Sequence, residues 1–478
     1  MHSAHMSKRK RQAILFFTYG FMTLATIVIT AVCLLLVLGY RFDIKDKRIE
    51  QGGLVQLRSL PEGARVTLDA DQLGSLTPTK HEVSAGMHTI TMSRDGYTTW
   101  QKTVAVKAGE LRWLDYARLV PTKLTTNTVA SAEKVAHAEI SPNREYIAAL
   151  VSGAPLSVVI YDVRDPAKVT AKTYPIPEGL ITTQDGVPIA LQLVEWDKGS
   201  RYVLLVATAA DSVYEYVLLD RSAADGAVRN ITTEFNLPFR QMHFAGTSGA
   251  HYLALTGGDL RKVDIGAKSV SQPLVANVES VVVYDETAFA YVATSPTQKI
   301  AGIYKNDTAK SVRSLSRSEP VWVDYTRYFY HDYVAIGSRT HVDIIKDPIA
   351  NSAQVRTYAT LSLPYEINWL RFSEGGRMMT AGNGRAFGAY DLETNEHYFV
   401  NTDEAASDSV PMWLDDYYLI DNPTGTTRIY EFDGTNRHDI TTCDQTLPAG
   451  LSANQKFLYC FGKDGEKKVL RSTALTID

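Results

Sequence analysis

The first pattern along the chain is a stretch with no polar face. Between Ala13 and Tyr40 no charged residue occurs, which exceeds the roughly 20 apolar residues a helix needs to cross a hydrocarbon core. Leu24, Ile27, Val28, Val32, Leu35 and Leu38 fall on all sides of a helix, whereas a surface helix keeps a polar stripe. Phe16, Phe17, Tyr19 and Tyr40 stand near the ends, where aromatic rings favour the headgroup zone. The pattern predicts a transmembrane helix over 13–40, behind a short tail at 1–12. Leu38-Gly39-Tyr40-Arg41 offers no small-x-small cleavage site, so the segment reads as an uncleaved signal anchor. The contiguous Lys8-Arg9-Lys10-Arg11 cluster lies tight against its start, against the scattered Arg41, Lys45, Lys47 and Arg48 beyond it, and favours a cytoplasmic N-terminus.

After a juxtamembrane linker at 41–51, the period changes. From 52 to 120, short alternating runs are separated by turn residues, as in half-buried antiparallel strands. Leu54 to Arg58 and Ala64 to Leu68 flank Pro61-Glu62-Gly63, where proline presets φ and glycine permits a positive one. Further turns fall at Thr77-Pro78, Ala85-Gly86 and Asp95-Gly96, followed by strand-like runs at His88 to Met92 and Tyr97 to Val106. This predicts a small β-domain.

From 121 to 478 a loose repeat takes over. One marker is an apolar or aromatic residue, a polar turn and another apolar strand: Ile140 before Ser141-Pro142-Asn143, Trp196 before Asp197-Lys198-Gly199, and Phe244, Tyr284, Trp322, Trp369, Trp413 and Leu451. A second marker is an apolar strand that runs into an acidic or polar turn, as at Val158 to Asp162, Tyr216 to Asp220 and Phe387 to Asp391. Both markers give eight units, roughly 40 to 60 residues apart, near the length of a four-stranded propeller blade. A fourth strand follows in most units, at Val169 to Tyr174, Val228 to Thr233, Val355 to Leu361 and His397 to Val400. The last unit ends after its third strand. Thr125 to Ser131, otherwise unassigned, is expected to pair with residues 465–475 and close the ring, which removes an exposed sheet edge. The fold class is therefore all-β apart from one N-terminal transmembrane helix: a small β-sandwich followed by a β-propeller of eight blades, seven with one irregular insertion being the alternative.

Composition narrows the function classes. Hydrophobic residues at 45% and charged residues at 21% predict a folded chain. A net charge of −4 supplies no basic field, so nucleic acid is not an expected partner. Three cysteines make neither a disulfide scaffold nor a metal knuckle; Cys33 lies in the apolar helix, and Cys443 and Cys460 are either one disulfide or two separate thiols.

Two resemblances follow from the quoted residues. Ser59-Leu60-Pro61-Glu62-Gly63-Ala64-Arg65-Val66, then Gly74, Thr77-Pro78, Gly86-Met87-His88 and Asp95-Gly96-Tyr97 resemble the PEGA domain family, with one extra residue between Gly74 and Thr77. The resemblance implies a compact β-sandwich of surface proteins, and hence extracytoplasmic C-terminal domains; it specifies no chemistry. Ser141-Pro142-Asn143 and its looser counterparts resemble TolB and WD40-like propeller repeats.

Catalytic signatures are sparse. The 11 histidines contain no HExxH pair, no G-x-S-x-G elbow occurs, and Gly382-Asn383-Gly384-Arg385 lacks the lysine of a phosphate loop and reads as a hairpin turn. His88, His243 and His251 read as ordinary strand residues. Asp415-Asp416 and Asp403-Glu404 read as solvated turn acids, and Trp196, Trp322, Trp369 and Trp413 as packing at one repeat position. No catalytic, metal or cofactor residue is assigned. The run Tyr325-Thr326-Arg327-Tyr328-Phe329-Tyr330-His331-Asp332-Tyr333 stands out: alternation buries only part of it, leaving Tyr325, Tyr328, Tyr330, His331 and Tyr333 as the candidate partner-binding patch. The reading is a non-enzymatic, single-pass cell-envelope protein that presents a propeller to a protein or cell-wall glycan partner. A hydrolase with acids at the propeller centre and a sensor acting through a membrane partner are the alternatives.

Overall fold

The computed structural model describes residues 8–37, 40–43, 48–153, 155–182, 189–209, 212–223, 227–350, 355–401 and 410–477. Its first element is a helix, Lys8–Val37. Within it Ile14–Leu35 has a mean hydropathy of 2.0 and no buried share, and its 22 residues rise about 33 Å at 1.5 Å each. The helix is long and apolar enough to cross a membrane. Its four central threonines do not break the apolar surface: the hydroxyls of Thr18, Thr23, Thr26 and Thr30 each donate to the carbonyl four residues earlier, at 2.8–2.9 Å, the arrangement that satisfies a hydroxyl where water is absent. Tyr40, expected as the last residue of the helix, instead begins a strand, Tyr40–Asp43, that pairs antiparallel with Arg48–Gln51 of the expected linker.

Residues 1–123 and 124–478 form two compact units. In the first, Gly53–Leu60 is the middle strand of a three-stranded sheet, antiparallel to Thr79–Val83 and parallel to Leu111–Arg118. A four-stranded sheet, in the order Asp71–Leu76, Arg65–Leu68, Gly86–Ser93, Trp100–Val106, supplies the other layer. Burial alternates along Trp100–Val106, and Val55, Leu57, Ile90, Met92, Trp100 and Leu114 fill the core. The Pro61-Glu62-Gly63 turn is fixed by Thr77. The Thr77 hydroxyl is buried, lies 2.6 Å from that of Ser59 and accepts the Ala64 N–H at 2.9 Å, while Gly63 takes a φ of +85° that only glycine adopts freely.

Among the described residues the second unit contains eight four-stranded antiparallel sheets. Their first strands are Val135–Ile140, Ile189–Trp196, Gln241–Phe244, Val278–Asp285, Trp322–Tyr328, Trp369–Phe372, Met412–Trp413 and Ala449–Leu451. Packing runs in a cycle. Apolar clusters join sheets one and two, two and three, three and four, four and five, and five and six; Phe387 and Tyr430, with ring centroids 6.1 Å apart, join six and seven. Tyr459, Phe461 and Leu470 of sheet eight pack on Ile147, Ala149 and Tyr161 of sheet one. The outer strand of sheet eight is Thr125–Ser131, paired antiparallel with Lys467–Ala474 from Thr125↔Ala474 to Ser131↔Val469. The strand expected to close the ring does so.

The repeat marker has a physical basis in the turn between first and second strands. In Ser141, Asp197, Ser373 and Ser452 the side-chain oxygen accepts the backbone N–H five residues on, that of Tyr146, Tyr202, Met378 and Phe457, at 2.6–3.2 Å. The backbone N–H of each donates to the carbonyl of that same later residue at 2.8–3.0 Å. A residue of positive φ, Arg144, Ser200, Gly376 or Gln455, sits at the same place in each turn. The acid of the second marker is held by the basic residue ending this turn where one is present: Arg201 on Asp220 at 2.7 Å and Arg377 on buried Asp391 at 2.7 Å.

Two expectations need correction. The four tryptophans do not share one position: Trp196 and Trp413 end their first strands, paired with Val203 and Leu419, whereas Trp322 and Trp369 begin theirs, opposite Gly337 and Gly382. The strand expected over Val228 to Thr233 stops at Asn230, whose side chain accepts the Thr233 N–H and caps a short helix, Ile231–Phe235. The Gly382 to Phe387 segment is the hairpin expected of it, with the Asn383 side chain accepting the Arg385 and Ala386 N–H groups.

Cys443 and Cys460 are bonded, with Cα atoms 5.9 Å apart and a sequence separation of 17. The bond joins the end of sheet seven to the second strand of sheet eight, beside the closing seam. Closing a loop of this length in the unfolded chain is worth about 3 kcal/mol. The double substitution Cys443→Ser/Cys460→Ser is therefore expected to lower unfolding free energy by about that amount in urea, and the native protein to show two fewer alkylatable thiols without reductant than with it.

Candidate functional site

The aromatic run does not form one surface. Its first strand, Trp322–Tyr328, and its second, His331–Ser338, pair from Trp322↔Gly337 to Tyr328↔His331, leaving Phe329 and Tyr330 as a two-residue turn. Tyr325 and Tyr333 are each 3% exposed and belong to the core. Tyr328 is half-buried, its hydroxyl donating to Glu393 at 3.0 Å, and His331 is held by Asp347 at 2.6 Å. The exposed pair is Phe329, at 67%, and Tyr330, fully open. Phe329 is not among the expected patch residues, because alternation alone does not locate the turn.

That turn has an unusual backbone. Both central residues have positive φ, +44° and +65°, the geometry of a primed hairpin turn that asparagine and glycine adopt at low cost and bulky side chains do not. Beneath it Asp332, 7% exposed, accepts from the Tyr325 hydroxyl at 2.6 Å and the Arg327 Nε at 3.2 Å and pairs with Lys305. These charge-assisted bonds outweigh its burial and hold the Asp332 carboxyl below the usual range. Arg327 also reaches Asp285 at 3.2 Å and lies over the Tyr284 ring.

The first strands carry acids into the interior. Glu195 accepts the Phe244 N–H of the next sheet at 2.6 Å and pairs with His243 at 3.1 Å; Asp324 in the same way accepts the Phe372 N–H of its next sheet at 2.6 Å. These two carboxylates serve as links between sheets. Glu139 differs: desolvation, reinforced by the neighbouring Glu195 charge, pushes its carboxyl up to about 7. The adjacent acids at 415 and 416 have turn roles. Asp415 accepts the Tyr417 and Tyr418 N–H groups and Asp416 that of Gly375, while Asp403 and Glu404 lie outside the described residues. His88 bridges Asp69 and the Ser84 carbonyl, both at 2.8 Å, and His251 faces Asp264 and Glu286. Among the described residues no group of three or more His, Cys, Asp or Glu side chains could hold a metal ion.

A cavity of about 510 Å³ opens between sheets seven, eight and one, lined by Glu139, Trp413, Asn422, Thr427 and Gln445 among apolar side chains. Arg144 and Glu374, paired at 2.9 Å, stand at its margin and tie the turns of sheets one and six. No local sequence signal announces this cavity, because residues more than 300 positions apart build it.

Residues 53–122 match the PEGA domain family, and this segment is a PEGA domain. Among solved structures the chain is similar to the β-propeller domain of Cps50 (Swd1) of Myceliophteria thermophila, at 12% identity and a TM-score of 0.40 over 74% of this chain and 100% of that one. It is also similar to an oligogalacturonate lyase in complex with manganese, at 11% identity and 0.41 over 72% and 98%, and to Hsv2 of Kluyveromyces lactis, at 11% and 0.38 over 71% and 99%. No curated protein matches the chain. The cycle of sheets, rather than these distant likenesses, defines the propeller.

The raised Glu139 carboxyl generates a pH prediction. Its folded-state value exceeds the unfolded one, so its contribution is fully present below about 4.5 and is lost as pH rises through about 7. Glu139→Gln is expected to flatten that fall, so that the variant gains on the wild type in urea unfolding as pH is raised from about 5 to about 8.

Proposed function

We propose that this protein is a membrane-tethered binding scaffold of the cell envelope, whose propeller engages a protein or glycan partner through the Phe329–Tyr330 turn. The observation that carries the reading is the placement of two exposed aromatic rings on positive-φ backbone. An Asn-Gly pair would build the same turn at lower cost, and such a departure from the easy sequence is where function is sought. The hairpin is braced from below by Asp332 and Lys305, so the rings would bind with little loss of freedom. The apolar helix supports a single-pass anchor with a short cytoplasmic tail, and the PEGA domain supports an extracytoplasmic location for residues 53–478.

A second reading, hydrolysis at the propeller centre, has one observation in its favour: the Glu139 and Glu195 carboxyls interact and differ in environment, as paired acid–base groups do. Release of sugars from envelope glycan that disappears in Glu139→Gln would establish it.

The full-length protein in lipid nanodiscs, with Phe329→Asn/Tyr330→Gly beside wild type, tests the main reading. The variant is expected to unfold no more easily, with a gain of about 1–2 kcal/mol from relief of the positive-φ positions, and to lose at least tenfold in capture of envelope components that the wild type enriches. Equal capture by both would overturn the role of the turn. Protease added to intact cells is expected to remove the propeller; its survival until the membrane is opened would reverse the orientation.

A further inference from the structure

Among the described residues of the PEGA domain, three of the four exposed large apolar side chains gather at the end where the helix joins it. Tyr40, three residues past the helix end at Val37, lies opposite Gln51 in the hairpin, so the chain doubles back and enters the domain beside the point where it left the helix. The loop after Trp100–Val106 seats that entry: the Gly109 N–H donates to the Gly52 carbonyl and the Leu54 N–H to the Glu110 carbonyl, both at 2.8 Å. Gly53 pairs with Val83, and Gly86 with Val106, so the start of Gly86–Ser93 belongs to the same end. Met87, 65% exposed, and Leu111, 42% exposed, stand there, with Trp113 next to Leu111 on the same strand face. Alternation puts Met87 and Leu111 on opposite outer faces of the sandwich, since Ile90 and Met92 point inward from one sheet and Leu114 from the other. The other end of the domain lies about 23 Å away along the strand Gly53–Leu60, at roughly 3.3 Å per residue. It holds the Glu62 and Asp95 turns with their arginine partners, Arg58 and Arg65, and an exposed apolar side chain, Leu76.

The helix decides what covers this end. Its apolar span runs to Leu35, and Tyr40 follows five residues later, in the headgroup zone where tyrosine rings collect. From Tyr40, one strand pair and the Gly52–Gly109 hydrogen bond lead to the loop that precedes Leu111, so no free linker separates this end from the bilayer. Two large apolar side chains left in water forgo the transfer free energy that the boundary between headgroups and acyl chains supplies. The charges around them are mixed. Asp69 is held by His88 at 2.8 Å and Glu110 pairs with Arg112 at 3.6 Å, while Lys107 and Glu82 are exposed; a partner of one charge sign meets no matching field, whereas zwitterionic headgroups match both signs. We propose that the helix-side end of the PEGA domain rests on the bilayer surface, with Met87 and Leu111 as two apolar contacts at the boundary between headgroups and acyl chains. The inference deepens the reading of the helix as a membrane span and rests on it. It holds whichever side of the membrane the domain faces, and does not depend on the role assigned to the Phe329–Tyr330 turn.

The test uses the full-length protein in phosphatidylcholine nanodiscs, labelled at one cysteine with an environment-sensitive fluorophore and read by quenching from nitroxide-bearing lipids. Met87→Cys, Leu111→Cys and Leu76→Cys, each combined with Cys33→Ser, alter exposed side chains and leave the domain core intact. The wild type, labelled at its exposed free Cys33, reports the helix, and the bonded Cys443 and Cys460 stay unlabelled. Cys33 is expected to lose at least about half its emission to an acyl-chain nitroxide, and the labels at 87 and 111 at least about half theirs to a headgroup nitroxide, against less than about a tenth at 76. Leu111→Glu is expected to reduce quenching at 87 at least about twofold, because each contact holds the other at the surface. Quenching at 87 or 111 no greater than at 76, or quenching at 87 unchanged by Leu111→Glu, as nearness through the tether alone would give, overturns the proposed surface while Cys33 still reports a spanning helix. An unquenched Cys33 overturns the span itself, and the surface with it.

Discussion

The architecture of the large unit depends on one ladder, the antiparallel pairing of Thr125–Ser131 with Lys467–Ala474. Every other sheet of that unit is built from consecutive strands and is complete locally. Only the eighth borrows its outer strand from the opposite end of the unit, and this strand ties the beginning of the unit to its last sheet. The seam is reinforced around the ladder. The buried Tyr459 hydroxyl donates across to the Val163 carbonyl at 2.9 Å, Lys468 donates to the Val135 carbonyl and pairs with Asp444, both at 3.0 Å, and the Cys443–Cys460 bond clamps the sheet on its other side.

Much of this is legible in the sequence because the propeller repeats its local chemistry. A serine or aspartate whose side chain folds onto the N–H five residues later reads as a polar break between apolar runs, as at Ser141 and Ser452. The strand at Thr125 can be placed because the last unit lacks one. The misplaced elements have identifiable causes. Trp322 and Trp369 align with Trp196 by residue type, yet large rings fill gaps at either end of a first strand. Val228 to Thr233 has strand-like composition, but the Asn230 side chain offers a cap and the backbone turns into a helix.

The candidate sites are legible to different degrees. The aromatic run is visible as a cluster, and its division into core and turn is not, since that depends on which residues carry positive φ. The cavity leaves no trace in sequence at all. Glu139, Trp413, Asn422 and Thr427 come from sheets one and seven, and their juxtaposition exists only after the ring has closed. The same holds for Glu195 and Asp324, whose carboxylates accept peptide N–H groups from the following sheet, links that form only on assembly.

The closing ladder also sets a timetable. Thr126 and Thr473 face each other across it from positions 347 residues apart, so the strand emerging first from the ribosome must wait, at ordinary translation speeds, on the order of twenty to seventy seconds for its mate. Until then the last sheet would have one raw edge, and the growing chain would need shielding until its two extremities met.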